Sequence, residues 1–288
     1  MIKQSDCTII IPHLGGTPET EYALDQCLES LRSTVPSVDI IVVSNGLRCE
    51  KEDHQLLSPV KINYQGQCKA VNAAAATVNT PWIFVTNDDM VYAPGWFERL
   101  TSNMVGEEIM GRMPACISPQ LVEPKTGAPT FLVEFCGGAG GDFDKAKWLD
   151  YAKKMALDSL SYDQNKGIRT GFNLPFLISK ELWDTVGGYD INYDPWGSNS
   201  DSDLEYKIRL AGVQPYQNTN CLVYHFSQTS GTFHPDNQSH WQKNWDYFIQ
   251  KWGFPRTDEG IWEANFKMPT KEEGRIFQPE WEGKYDRL

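Results

Sequence analysis

The chain has 288 residues, 40% of them hydrophobic and 22% charged, a balance that supplies a buried core and excludes a disordered or fibrous protein. Its 26 basic against 38 acidic residues give a formal net charge of −12, which argues against broad, sequence-independent nucleic-acid binding. A small anionic ligand stays compatible with that charge, because a metal or a helix N-terminus can hold phosphate locally. Seven scattered cysteines with no CxxC pair point to reduced thiols and a cytoplasmic protein. A strand pattern begins almost at once, so no leader peptide is expected, and no apolar run approaches the roughly 20 residues of a membrane span. Any membrane contact is expected to be peripheral.

In chain order, "CTIIIPH" (7–13) is a β-branched run stopped by Pro12. The stretch "ETEYALDQCLESLRS" follows with Tyr22, Leu24, Leu28 and Leu31 at helical spacing. "DIIVVSNG" (39–46) is a second apolar run closing on Asn-Gly, and "VKINY" (60–64) is a third short strand candidate. An Ala-rich helix, "QCKAVNAAAATVNT", leads to the strand "WIFVTNDD". Strand and helix alternating in this way predict a doubly wound, mostly parallel α/β sheet, in which ligands bind along the strands' carboxyl ends. His13, Asn45, Asp88 and Asp89 all fall at such ends.

Further on, residues 115–124 and 130–141 read as strands, and "DKAKWLDYAKKMALDSLS" as a helix with a solvated face. "GFNLPFLISKELWDTVGGYD" (171–190) reads as strand, short helix and a Gly-Gly turn. "DSDLEYKIRLAG" predicts a helix with an acidic start and a stop at Gly212, and "CLVYHFS" (221–227) a last strand. The tail from residue 231 is rich in Trp, Pro and Asn without a sheet pattern; Trp241, Trp245, Trp252 and Trp262 either pack it on the core or cover a sugar.

Three features carry chemistry. Asp88 and Asp89 end an apolar strand side by side, and two neighbouring carboxylates repel unless a cation lies between them. Hard oxygens without thiolates suit Mg²⁺ or Mn²⁺; a surface turn explains the same two residues without a metal. Asp201 and Asp203 lie at a helix start, where capping explains one of them and a general base held ionised by the helix dipole would explain the other. His225 follows a strand, where a packed histidine and a ligand are both compatible readings.

Together, "TIIIPH", "VVSNG", "QCKAVNAAAA", "TNDD", "FLISKELWDTVGGYD", "WGSNSDSDLEYKIRLAG" and "VYHFSQTS" resemble, in order and spacing, the GT-A glycosyltransferases, closest to the inverting family 2. The resemblance spans about residues 5–230, and "GGYD…WG…DSDL" is also similar to the catalytic region of galactosyltransferase relatives. It implies a Rossmann-like GT-A domain over residues 1–230 and an aromatic-rich extension over 231–288 packed on it. It further implies a divalent metal, Mn²⁺ or Mg²⁺, a nucleotide-diphosphate sugar as donor, and a glycan or other hydroxyl as acceptor.

Residue by residue, the resemblance implies that Pro12, His13, Asn45, Gln67, Lys69 and Asn72 border the nucleotide. Asp88 would touch the ribose or the metal's surroundings, and Asp89 and His225 would bind the metal. Trp196 and Gly197 would form the acceptor-side loop, with Asp201 as general base and Asp203 supporting the acceptor site or serving as the base itself. The chain departs from the pattern at Asn45, Asn87 and Ser200, each standing where many members have an acid. Asn45 leaves the base preference open, and Asn87 and Ser200 motivate the alternative of a non-catalytic nucleotide-sugar or glycan binding module on the same fold. A nucleotidyltransferase fits less well, because the first strand lacks a Gly-rich, Lys/Arg-bearing loop.

Overall fold

The computed structural model describes residues 2–44, 66–109, 116–125, 131–160, 167–227, 229 and 235–253. Asn45 and the 60–64 strand candidate lie outside them. Strands β1 (Cys7–His13), β2 (Asp39–Ser44), β3 (Trp82–Val85), β4 (Met90–Tyr92), β5 (Cys116–Glu123), β6 (Leu132–Val133), β7 (Ile168–Thr170), β8 (Phe176–Ser179) and β9 (Tyr216–His225) form one sheet. Its order is β2-β1-β3-β8-β5-β9-β4, with β6 on β5 and β7 on β9.

β1 pairs in parallel with β2 and β3, and β5 in parallel with β9, whereas β8 runs against both β3 and β5 and β4 runs against β9. The expectation of a mostly parallel sheet therefore holds for β2, β1, β3, β5 and β9, with β8 and β4 reversed. This has a direct consequence for the site. The carboxyl ends of β1, β3, β5 and β9 and the amino end of β4 all lie on one edge. Every residue of β1, β3 and β5 is buried, which is why they read as continuous apolar runs.

Helices α1 (Pro18–Thr34), α2 (Gln67–Thr77), α3 (Trp96–Ile109), α4 (Lys145–Leu160), α5 (Lys180–Val186), α6 (Ser200–Leu210) and α7 (Gln238–Trp252) cover the sheet. α1 starts where Thr17 accepts a hydrogen bond from the Thr20 backbone N–H and Pro18 fixes the first turn. It buries Leu24, Cys27, Leu28 and Leu31 against Ile9 and Ile11 of β1 and Phe84 of β3. On the other side, α2, α5 and α6 pack on Ile10, Ile83, Val85 and Ile178. α5 is capped by Ser179 and ends at Gly187 in the left-handed region (φ 76°), a conformation glycine adopts without steric cost.

The expected strand over 130–141 is confined to Leu132 and Val133. The tail, which shows no sheet pattern in the sequence, holds a helix: α7 places Phe248 and Trp252 in the core formed by α2, α5 and α6, with Trp252 edge-on to Tyr206 at 4.7 Å. The six described cysteines are all buried, unpaired thiols. Among the described residues, no helix is long and apolar enough to cross a membrane.

Candidate active site

The shared sheet edge collects an acidic cluster. β3 ends at Val85 and the chain turns through Asn87, Asp88 and Asp89 before β4 begins at Met90. Met90 is in register with His225 of β9, and the Phe226 N–H donates to the Asp89 carbonyl, so the β4 start and the β9 end are fastened together. Asp89, 6% exposed, lies with Oδ2 3.4 Å from His225 Nε2. His225 Nδ1 is 2.8 Å from Glu123 Oε1 at the end of β5. Burial works against the imidazolium, but the charge of Asp89 and the hydrogen bonds the ring donates to Asp89 and Glu123 outweigh it and push its pKa up to about 10.

Asp89 Oδ1 is buried and has no hydrogen-bond partner. An unpartnered carboxylate oxygen in that setting is costly, and a cation removes the cost. One carboxylate oxygen and one imidazole nitrogen suit Mn²⁺ or Mg²⁺ completed by a substrate's phosphate oxygens. The donor set therefore fits a divalent ion at Asp89 and His225, the ion taking the place of the proton on Nε2 that the two acids otherwise hold there. Among the described residues no group of three or more His, Cys, Asp or Glu side chains stands arranged to hold a metal by itself.

His13, expected beside a nucleotide, is 1% exposed and wedged between two acids. Its Nδ1 lies 2.6 Å from Asp88 Oδ2 and its Nε2 3.2 Å from Glu21 Oε1. Its two ring nitrogens are thus both engaged by acids, one of them Asp88. Pro12 is buried within β1, in register with Val43. Burial raises the Asp88 pKa, with the neighbouring Asp89 charge adding to it and the His13 hydrogen bond opposing it.

α2 brings the next group. Gln67 donates from Nε2 to Asn87 Oδ1 at 3.5 Å, and a Cβ on Gly197 would stand 3.1 Å from Gln67 Oε1. Gln67 thus bridges the Asp-bearing turn and the Trp196-Gly197 loop. Asn72 is committed elsewhere: its amide donates to the Tyr189 carbonyl at 2.8 Å and accepts from the Tyr189 N–H at 2.9 Å. It holds the Gly-Gly turn against α2. The first N–H groups of α2, from Cys68 and Lys69, donate to Asp194 Oδ1 and Oδ2 at 2.9 and 3.0 Å. Gly66 makes room for that carboxylate, since a Cβ there would lie 2.0 Å from Asp194 Cγ.

The two base candidates separate cleanly. Asp201 is partly exposed in the first turn of α6 and accepts a 2.7 Å hydrogen bond from the Tyr189 hydroxyl. Burial and the Asp201 charge keep that phenol protonated far above its ordinary range. Asp203 is 0% exposed. It accepts from Trp252 Nε1 at 2.9 Å and Tyr193 at 3.3 Å, and pairs with Lys251 at 2.9 Å and Lys207 at 3.7 Å. A carboxylate enclosed in that network cannot reach an acceptor, so Asp203 belongs to the core and not to the acceptor site. Trp196 is partly exposed, its ring 6.0 Å from that of His240 on α7.

Sequence reading missed Glu123, Glu21, Tyr189 and Asp194. Glu123 carried the same signal as Asp89, an apolar run ending on a carboxylate, while Glu21 and Tyr189 lie within helical and turn patterns that explain them without a site.

Residues 8–126 match the family model described as glycosyl transferase family 2. A mannosyltransferase from Pyrobaculum calidifontis, in complex with GDP-Man and Mn²⁺, superposes with a TM-score of 0.51 at 13% identity, covering 95% of this chain and 67% of that one. GalNAc-T7 with UDP, GalNAc and Mn²⁺ superposes at 0.55 and 12% identity, covering 95% of this chain and 54% of that one. The chain thus spans about two thirds of the first and about half of the second. Curated protein sequences give no match. The sheet order, the acidic edge and these likenesses agree: the chain has the GT-A fold and is glycosyl transferase family 2-like over residues 8–126.

Proposed function

We propose that the chain is a metal-dependent glycosyltransferase of hexosyltransferase type, moving a sugar from a nucleotide-diphosphate donor to an acceptor hydroxyl with inversion. The observation that carries this reading is the buried, unpartnered Asp89 Oδ1 beside His225 at the carboxyl ends of the sheet, and both solved neighbours are complexes with a nucleotide or nucleotide sugar and Mn²⁺. Asp89 and His225 would hold the ion, with Glu123 orienting the imidazole. Bound there, a divalent ion supplies positive charge against the diphosphate leaving group. Asp88, tied to His13, and Gln67, tied to Asn87, would line the donor side.

On the acceptor side Asp201 takes the hydroxyl proton as the oxygen attacks the anomeric carbon. The α6 dipole favours its ionised form, and Tyr189 fixes its rotamer. A base acting on the face opposite the leaving group gives single displacement and inversion. Residues 1–230 would form the catalytic domain, with α7 of the following segment closing its core.

The test is donor turnover by the full chain with GDP-mannose and a panel of UDP-hexoses, with and without Mn²⁺. The reading expects Mn²⁺-dependent release of GDP or UDP, abolished by Asp89→Ala and by Asp201→Asn, with Asp201→Asn still binding nucleotide. Nucleotide binding with no turnover of any donor would favour a non-catalytic module instead.

A further inference from the structure

Gly188 and Tyr189 each carry one backbone donor and one acceptor, and all of these groups have partners. The Gly188 N–H donates to the Trp183 carbonyl at 3.1 Å, and the Gly188 carbonyl accepts from Lys207 Nζ. The Tyr189 N–H donates to Asn72 Oδ1 at 2.9 Å, and the Tyr189 carbonyl accepts from Asn72 Nδ2 at 2.8 Å. One side-chain amide on α2 therefore fixes both backbone polar groups of Tyr189. Gly188 is fitted to that arrangement, since a Cβ there would stand 2.6 Å from Asn72 Oδ1.

The ring is held as firmly as the backbone. Tyr189 is fully buried, edge-on to Trp183 at 5.6 Å and to Phe176 at 6.3 Å. With both fixed, its hydroxyl stands in one place, 2.7 Å from Asp201 Oδ1 in the first turn of α6. The path from Asn72 through Tyr189 to Asp201 thus joins α2 to the proposed base. The same helix meets the donor side: Gln67, in its first turn, reaches Asn87 beside the paired acids. Asn72 lies five residues further on, about 7.5 Å along the axis. One helix therefore carries fixed points for both ends of the reaction.

Resting on the glycosyltransferase reading above, we propose that Asn72 is a positioning residue: through the Tyr189 hydroxyl it sets where the Asp201 carboxylate stands relative to a donor held beside α2. A misplacement of about 1 Å at a reacting group can cost about 10²-fold in rate, so a side chain that never touches substrate can act on turnover in this way. Two other roles compete. A nucleotide contact by Asn72 is disfavoured because both ends of its amide are already engaged by Tyr189. A clamp that serves stability alone does not require that the loss at Asn72 and the loss at Tyr189 be one and the same.

The test is steady-state turnover of GDP-mannose and a panel of UDP-hexoses by the full chain with Mn²⁺, in wild type, Asn72→Leu, Tyr189→Phe and the double variant. Asn72→Leu keeps the bulk of the side chain and removes both bonds. Its kcat should fall about tenfold or more, with donor KM within about twofold of the wild type. The double variant should lose no more than Tyr189→Phe alone, because both changes act on the same hydroxyl. Asn72→Asp keeps the shape and the bond from the Tyr189 N–H; it should show a fall confined to kcat, and it serves in place of a leucine variant that does not fold. Losses that multiply to about a hundredfold would show Asn72 acting independently of Tyr189 and overturn the proposal. An unchanged kcat overturns it as well, and so does a raised donor KM with a lost nucleotide-and-Mn²⁺ melting shift, which would make Asn72 a nucleotide contact. A wild type that binds nucleotide and turns over no donor overturns the glycosyltransferase reading and the positioning role with it.

Discussion

Three of the acids on the sheet edge sit within hydrogen-bond or ion-pair reach of a histidine: Asp88 against His13, and Asp89 and Glu123 against His225. Each imidazole offsets charge that would otherwise be stranded out of water. Glu123 fixes the ring from the far nitrogen, the usual arrangement behind a metal-ligating histidine. Glu123→Gln is therefore expected to weaken Mn²⁺-dependent nucleotide binding by about 10–100-fold, read by calorimetry at fixed nucleotide. Binding within twofold of the wild type would remove Glu123 from this role. On the acceptor side, Tyr189→Phe deletes one hydrogen bond to a carboxylate, worth about 1.5–3 kcal/mol. kcat should fall by about tenfold or more while nucleotide affinity holds; an unchanged kcat would leave Tyr189 a packing residue.

At the scale of elements, α2 is tied into the site at its amino end, where its first N–H groups meet Asp194 rather than a ligand. Burial pushes the Asp194 pKa up from 3.8 to about 6, with the two N–H donors pulling the other way. The folded chain then takes up a proton as pH falls through 6, before the unfolded chain does. This group's contribution to stability is therefore fully present below about pH 3.8 and is lost as pH rises through about 6. The stability of wild type relative to Asp194→Asn should rise as pH drops from 7 to 4 in denaturant titrations. A constant difference would mean that the carboxylate does not titrate in that range.

How legible each element was follows from its burial. β1 and β3 are enclosed on both faces and appear in the sequence as unbroken apolar runs. The reversal of β8 is not written in "FLIS", because direction in a sheet is set by how the chain crosses over and not by local pattern. α7 escaped the sequence reading because its inward residues are Asn244, Phe248, Lys251 and Trp252. Two of these four are polar, and their partners, Tyr193 and Ser198 for Asn244, Asp190 and Asp203 for Lys251, lie about 50 residues or more upstream. The spacing is helical; the buried polarity concealed it.

The same polarity joins the whole molecule. Asp190, Asp203, Lys207 and Lys251 are buried together, Lys207 donating also to the Gly188 carbonyl, so the Gly-Gly turn, α6 and α7 share one ionic centre. Burial depresses the Lys207 pKa to about 8, with its carboxylate neighbours opposing. Lys251→Met leaves Asp190 and Asp203 without their common cation and should destabilise the full chain by about 3–5 kcal/mol in denaturant unfolding. A loss under about 1 kcal/mol would show that the network is dispensable. Reading the sequence located both Asp201 and Asp203 but could not rank them, since adjacent acids in one helical turn differ only in which face the fold buries. The fold distinguishes them: the ionic centre encloses Asp203 and leaves Asp201 partly exposed.

The central claim is that Asp89 and His225 hold a divalent ion against a nucleotide diphosphate. Its most direct test is the melting temperature of the full chain with UDP and with GDP, each with and without Mn²⁺, in the wild type and in Asp89→Ala. Ligands that bind only the folded state raise that temperature. We expect a rise of several degrees with one nucleotide that requires Mn²⁺ and disappears in Asp89→Ala. A nucleotide shift that persists undiminished in Asp89→Ala, or that is indifferent to Mn²⁺, would contradict the clamp.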